Sequence, residues 1–196
     1  MIRFFDVLLS FAGILFFFPI LVTVYVIIIL ESKGGGLYIQ KRVGLNGVDF
    51  NLLKFRSMIV DSDKKSLITV GNKDPRITKI GYFIRKYKID ELPQLFNVLI
   101  GDMSLVGPRP EVRKYVDLYT TEQKKVLQIK PGITDYASIE YADENKILGL
   151  SSDPDSMYVH EIMPVKIRLS MKYVESKSIL EYFKIIFLTF YKIVSN

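Results

Sequence analysis

The chain contains no cysteine and no tryptophan, and a single histidine, His160, among its 196 residues. Without cysteine there is no disulfide and no thiolate nucleophile. One histidine excludes a multi-histidine metal centre and makes a Ser-His-Asp triad a poor fit. His160 precedes a helical pattern and reads as a surface or capping residue. No internal repeat and no low-complexity tract is present. Gly34-Gly35-Gly36 is not followed by Gly-Lys-Ser/Thr, so it reads as a flexible joint rather than a phosphate loop. There is also no zinc-finger spacing, RNP motif or basic heptad region, which removes nucleic acid as a partner. The net charge of +6 and the pI near 9.3 suit instead an anionic membrane surface and anionic substrates.

What is present is apolar surface, concentrated at the two ends. Hydrophobic residues make up 49% and mean hydropathy is +0.21, high for a soluble domain that carries 24% charged residues. Residues 4–30 contain one charge, Asp6. This run exceeds the ~20 residues a helix needs to cross a bilayer. It is too long for a cleavable signal and lacks a small-residue cleavage site. A single spanning anchor is the plain reading. Pro19 allows another, a helix broken by the missing backbone donor that enters the membrane and returns on the same side. Cations flank both ends, Arg3 before and Lys33, Lys41 and Arg42 after, so the charge rule does not choose. At the other end, residues 178–195 predict a helix whose Glu181, Lys184 and Lys192 form one narrow polar stripe. That pattern suits a helix lying in a membrane interface, with packing as core the alternative.

Between these ends lies one domain's length of chain. Residues 37–43 and 48–55 predict two strands about Leu45-Asn46-Gly47, where Asn-Gly signals a hairpin. Residues 61–73 read as a surface loop or short helix. A helical pattern resumes from Ile77 to Tyr87, and residues 111–129 predict an amphipathic helix with Val112, Tyr115, Val116, Tyr119, Val126 and Ile129 on its apolar face.

Residues 85–111, RKYKIDELPQLFNVLIGDMSLVGPRPE, carry the chemistry. Arg85, Lys86 and Lys88 precede the adjacent acids Asp90 and Glu91; Pro93 suits a first helical turn, and Gly101 a helix stop. The spacing predicts Asp90 at or near an N-cap. Two carboxylates there, beside cations, would have lowered pKa values and would attract Mg²⁺, which bridges protein acids to phosphates. An acidic pair at a helix start is also a common cap, and Arg109 between Pro108 and Pro110 could sit in an ordinary surface turn.

The block closely resembles the bacterial sugar transferase family, the small monotopic phosphoglycosyl transferases. The resemblance rests on Asp74-Pro75-Arg76-Ile77-Thr78, Lys79-Ile80-Gly81, Ile84-Arg85-Lys86, Asp90-Glu91-Leu92-Pro93-Gln94-Leu95, Asn97-Val98-Leu99 and the run from Gly101 to Glu111. It extends from the N-terminal apolar segment to about Thr134. Lys54-Phe55-Arg56-Ser57-Met58 and Pro131-Gly132-Ile133-Thr134 match two further family motifs near the active and nucleotide sites.

The resemblance implies an α+β, mainly helical fold. It would have an N-terminal re-entrant membrane helix over residues 1–33, broken at Pro19, and a compact cytosolic-face catalytic domain over 34–177 with a small β-hairpin. Residues 178–196 would form a C-terminal interfacial amphipathic helix. It implies transfer of a sugar-1-phosphate from a UDP-sugar to undecaprenyl phosphate, releasing UMP, as the first membrane step of glycan assembly at the bacterial inner membrane. Asp90 would be the nucleophile that forms an aspartyl-phosphosugar. Glu91 and Asp90 would hold Mg²⁺, with Mn²⁺ as substitute ion. Lys54, Arg85, Arg109, Pro108, Pro110 and Thr134 would bind substrate. The resemblance leaves open a homodimer and contacts with downstream glycosyltransferases.

Two positions depart from the family pattern. The arginine expected eleven residues past Pro131 is Ala142, and an acidic position is Ser170, with Lys146, Lys166 and Arg168 as replacement cations. Two other function classes remain at this level: a non-catalytic membrane scaffold of envelope assembly, and a UDP-releasing glycosyltransferase.

Overall fold

The computed structural model describes residues 1–60, 62 and 74–195. The predicted loop or helix over 61–73 therefore lies, apart from Ser62, outside the described residues. Helices dominate, with two small two-stranded sheets. The first element, α1, runs from Ile2 to Glu31 as one helix with Pro19 inside it, so the break expected at Pro19 does not interrupt the helix. At 1.5 Å per residue its 30 residues extend about 45 Å. It is the one helix among the described residues long and apolar enough to cross a membrane.

Both ends of α1 are fastened to the body. Arg3 donates from Nη1 to Val98 O (2.5 Å) and from Nη2 to Leu99 O (2.8 Å). These carbonyls belong to the last turn of α3 (Gln94–Ile100), where intrahelical donors run out. At the far end Glu31 accepts from the backbone amides of Lys79 and Ile80, the first residues of α2 (Lys79–Lys86). Midway, Gly13 lies against Leu95, while Leu21, Val24 and Ile28 pack with Phe55 and Ile84.

Asp6, only 2% exposed, explains itself here. Its Oδ1 accepts from Ser104 Oγ (2.9 Å), Leu105 N (2.9 Å) and Tyr182 Oη (3.0 Å). It thus joins α1 to β3 (Ser104–Val106) and to α9 (Ile179–Val194). Asp6→Ala would leave three buried donors without an acceptor, a cost of about 2–3 kcal/mol. Asp6→Asn keeps an acceptor and should cost less. Thermal unfolding in nanodiscs checks this; equal melting of all three proteins would contradict the role.

Strands β1 (Leu37–Val43) and β2 (Asp49–Phe55) pair antiparallel from Val43↔Asp49 to Leu37↔Phe55. The turn at Leu45–Gly47 has Asn46 and Gly47 at positive φ, as the Asn-Gly signal predicts. The glycine run is not a free joint. A Cβ at Gly36 would meet the Tyr25 ring at 2.4 Å, and one at Gly34, φ +112°, would meet Arg56 Nη1 at 1.9 Å. Arg56 is buried and donates to Ser32 O and Lys33 O, so the end of α1 is clamped to β2.

Helix α2 begins at Thr78, whose side chain accepts from Gly81 N. The predicted helix over 111–129 is instead two pieces, α4 (Arg113–Val116) and a 3₁₀ segment Gln123–Gln128. Thr120 and Gln123 exchange reciprocal side-chain-to-backbone bonds, which start a new turn. Of the predicted apolar face, Val112, Tyr115, Val116, Tyr119 and Val126 are buried together with Leu148 and Ile167, whereas Ile129 is partly buried against the separate cluster of Val106, Tyr173, Tyr182 and Ile185.

The short strand β3 pairs in parallel with β4 (Gly132–Thr134). Helices α5 (Tyr136–Glu140), α6 (Glu144–Leu148) and α7 (Pro154–Met157) follow. A π-helical turn, Tyr158–Ile162, then leads into α8 (Met163–Glu175). His160 is exposed on that turn. The last helix, α9, is capped by Ser178 and buries Tyr182 and Ile185, while Phe187, Phe190, Ile193 and Val194 stay exposed. It packs as core on one side and presents apolar surface on the other, combining the two readings of its stripe.

Candidate active site

The acidic pair does not cap a helix. Asp90 and Glu91 sit in a one-turn 3₁₀ segment, Ile89–Glu91, and Pro93 is the N-cap of α3. Lys88, in the left-handed region at φ 56°, makes the sharp corner between α2 and this turn. A lysine held there costs backbone strain of order 1 kcal/mol, a pattern that clusters at functional sites. The field on the carboxylates therefore comes from side chains more than from a helix dipole.

Glu91 is gripped from two directions. Arg109 reaches it with both guanidinium nitrogens, Nη1 to Oε2 at 3.2 Å and Nη2 to Oε1, and Lys54 Nζ lies 3.3 Å from Oε1. Burial opposes ionisation of Glu91, but Arg109 and Lys54 outweigh it and hold the carboxyl well below the usual range. Burial lowers the Lys54 pKa, an effect that Glu91 offsets in part; the Glu91 charge raises that of Arg109.

Asp90 behaves in the opposite way. It is 8% exposed and accepts no hydrogen bond among the described residues. Burial, then the neighbouring Glu91 charge, push its pKa up. The sequence-based expectation that both acids would be lowered thus holds for Glu91 and fails for Asp90. One carboxylate is locked with two cations, and the other is left free.

Asp90, Glu91, Lys54, Arg85, Arg109 and Thr134 all line one cleft of about 1270 Å³. Thr134 Oγ1 is paired with Thr189 Oγ1 at 2.7 Å. Pro108 and Pro110 are not brought into this cleft; they border a small cavity beside Val116 and Tyr119. Their carbonyls hold the Arg109 loop in place, accepting from Gly132 N and from Arg42 Nη1, each at 3.0 Å. The cleft is mixed in character, since Leu9, Phe17 and Ile20 of α1 and Ile186, Phe190 and Ile193 of α9 also line it. It joins a charged floor to apolar walls supplied by the two most hydrophobic helices.

The family model described as bacterial sugar transferase matches residues 1–196. The chain belongs to the bacterial sugar transferase family. An Aeromonas hydrophila UDP-N-acetylgalactosamine-undecaprenyl-phosphate N-acetylgalactosaminephosphotransferase is 41% identical over 150 residues, covering 72% of this chain and 36% of its own length. An Escherichia coli (strain K12) UDP-glucose:undecaprenyl-phosphate glucose-1-phosphate transferase is 34% identical over 194 residues, 95% of this chain and 39% of its own length. The galactosyl transferase CpsE of Streptococcus agalactiae serotype III (strain NEM316) is 40% identical over 181 residues, 86% of this chain and 37% of its own length. The chain therefore spans somewhat over a third of the length of these curated relatives.

Membership sharpens the reading of the two departures. Lys88 Nζ reaches Ala142 O at 3.4 Å, and Ser170 Oγ donates to Asp135 Oδ2 at 2.5 Å. Of the three replacement cations, Lys166 is buried and lines the cleft, Lys146 pairs with Asp143 at the surface, and Arg168 is exposed. Sequence reasoning did not single out Glu144, Tyr158 or Arg42, which also border the cleft. They lie far apart in the chain, and no local spacing marks them.

Proposed function

We propose that this protein moves a sugar-1-phosphate from a UDP-sugar to undecaprenyl phosphate through a covalent intermediate on Asp90. The observation that carries this reading is the free, buried Asp90 carboxylate beside a Glu91 already held by Lys54 and Arg109, in a cleft with apolar walls. Two of the relatives named above act on undecaprenyl phosphate, which supports the same acceptor here.

An Asp90 oxygen attacks the sugar-bearing phosphorus of the donor. The bond to the bridging oxygen breaks, and UMP leaves with that electron pair. A phosphate oxygen of the polyprenol phosphate then attacks the same phosphorus. The aspartyl–phosphorus bond breaks, giving the polyprenyl diphosphosugar and restoring the carboxylate. Splitting the transfer gives two easier steps. Lys54 and Arg109 are placed to take phosphate oxygens, the guanidinium fork suiting them especially, and Arg85 adds positive charge beside Asp90.

Among the described residues no group of three or more His, Cys, Asp or Glu is gathered to hold a metal. The acidic pair nevertheless fits Mg²⁺, which takes one or two carboxylates and completes its shell with substrate phosphates and water. Asp90 offers a free carboxylate, and Glu91 Oε2 accepts one hydrogen bond and keeps acceptor capacity. Bound there, the ion would neutralise charge on the diphosphate.

The topology we propose is re-entrant, with the catalytic part on the cytosolic face of the inner membrane. Both ends of α1 carry hydrogen bonds to the same body, which favours a helix held on one face of the membrane with that body over one that leaves for the opposite face. The acceptor's tail then meets the apolar walls while its phosphate meets the cations.

The test is the nucleotide released by protein in nanodiscs with Mg²⁺, undecaprenyl phosphate and a panel of UDP-sugars. UMP that depends on lipid supports the transfer; UDP, or no nucleotide with any donor, overturns it. The same assay gives a pH profile. The attacking form of Asp90 is ionised, and burial with the Glu91 charge raises its pKa. Protonation of the metal-free carboxyl therefore begins at higher pH than for a free aspartate, and the acid limb of kcat/KM should move to lower pH as Mg²⁺ is raised. A limb that does not move with Mg²⁺ would contradict the assignment.

A further inference from the structure

A second polar group borders the cleft and takes no part in the transfer step. Lys166, on α8, is 9% exposed and donates from Nζ to Glu144 Oε2 at 2.6 Å and to Tyr158 Oη at 3.5 Å. Tyr158 Oη donates in turn to Glu111 Oε1 at 2.7 Å. Glu111 directly follows the Pro108-Arg109-Pro110 loop, and its Oε2 lies 3.9 Å from Arg42 Nη1. All five side chains line the same cleft as Asp90.

Stability alone does not account for this chain of groups. A buried lysine–carboxylate pair loses in desolvation about what it gains in attraction, so apolar residues of similar volume would serve as well. Such residues surround it: Leu148, Ile162, Met163 and Ile167 form the adjoining core. Phosphate is also a poor occupant. Glu111 and Glu144 both act on Arg109, so they lie within electrostatic reach of the phosphate clamp and would repel a further anion. Two carboxylate acceptors, Glu111 and Glu144, flank a phenol and an ammonium here. Burial and the charges of Glu111 and Glu144 keep that phenol well above its ordinary pKa, so it stays a neutral donor. Vicinal hydroxyl groups, each both donor and acceptor, can pair with both kinds of group.

We propose that Glu144 and Lys166, backed by Tyr158 and Glu111, read hydroxyl groups of the sugar-nucleotide donor. This rests on the transfer reading above. The hydroxyls belong either to the hexose or to the ribose. A site that hydrogen-bonds a hydroxyl discriminates against an analogue that presents it differently.

The test compares wild type with Glu144→Gln, Lys166→Met and Tyr158→Phe in nanodiscs. It measures kcat/KM for UDP-glucose, UDP-galactose and their N-acetylated counterparts, together with inhibition by UMP. Glu144→Gln should lower kcat/KM for the preferred donor about 10–100-fold. For hexose recognition, the preference between 4-epimers changes by about tenfold or more while UMP inhibition is unchanged. For ribose recognition, all donors fall together and UMP inhibition weakens by the same factor. A uniform fall with unchanged UMP inhibition, or no change, overturns the proposal. Should Lys166→Met fail to fold, the volume-preserving Glu144→Gln and Tyr158→Phe decide the matter. Wild-type protein that releases no UMP overturns the transfer reading and this inference with it, whereas wild-type turnover with a uniform variant effect and unchanged UMP inhibition overturns this inference alone.

Discussion

Asp90→Asn should abolish UMP release, by about 10⁴-fold or more, and with it any covalent phosphosugar on the protein. The amide matches the carboxylate in shape but cannot attack phosphorus. Loss of activity through unfolding is separable, because the stability effect has the opposite sign. Asp90 has a raised pKa in the folded protein. Its ionised form therefore costs stability above the unfolded value, and acid relieves that cost. A neutral Asn removes the cost, so the variant should melt no lower than wild type, and somewhat higher near neutral pH. Mass spectrometry of the protein incubated with donor alone, beside a melting curve, checks both halves. Retained turnover, or an adduct on the Asn variant, would rule Asp90 out as nucleophile.

Arg109→Ala should lower kcat/KM by about 10³-fold, in line with arginines that stabilise transferring phosphoryl groups. It should also destabilise the protein, because Glu91 would remain buried with Lys54 as its one close cation. The carboxylate's contribution is present above its unfolded pKa of about 4.3 and is lost as pH falls through its depressed folded value, so the difference should be largest near neutral pH. Arg109→Lys keeps the charge without the fork and should fall between the two. In a double-mutant cycle, Glu91→Gln and Arg109→Ala should be strongly non-additive in melting. Additive effects would mean that the clamp is not a unit.

Much of this site was legible because it is nearly contiguous. Asp90, Glu91 and Arg109 fall within one stretch, and their residue types announce phosphate chemistry even before the family is named. Lys54 could join them only through the fold, since it lies 37 residues from Glu91 and reaches it because β2 runs beside the acidic turn. The opposite pKa shifts of the two acids were hidden for a similar reason. They depend on which carboxylate receives Arg109, a question of side-chain direction that spacing does not answer. The break at Thr120 did leave a trace, a Thr-x-x-Gln pattern of the kind that starts a helical turn, but the apolar periodicity across it is undisturbed and masks it. Asp6 stood out as a lone charge in an apolar run. Its partners at Ser104, Leu105 and Tyr182 are separated from it by 98, 99 and 176 positions, beyond any local pattern.

That last separation bears on how the protein is made. The ribosome delivers Asp6 ahead of Ser104 by 98 residues and ahead of Tyr182 by 176, so over that interval this carboxylate lacks partners that justify its burial. The helix can take up a membrane position as it emerges, yet Arg3 must wait for Val98 and Leu99, and Asp6 for the final helix. Completion of the last helix is then the event that locks the first one in place. A nascent chain halted before Tyr182 would hold α1 without its α9 partner, and the buried Asp6 network would close only once α9 has been made.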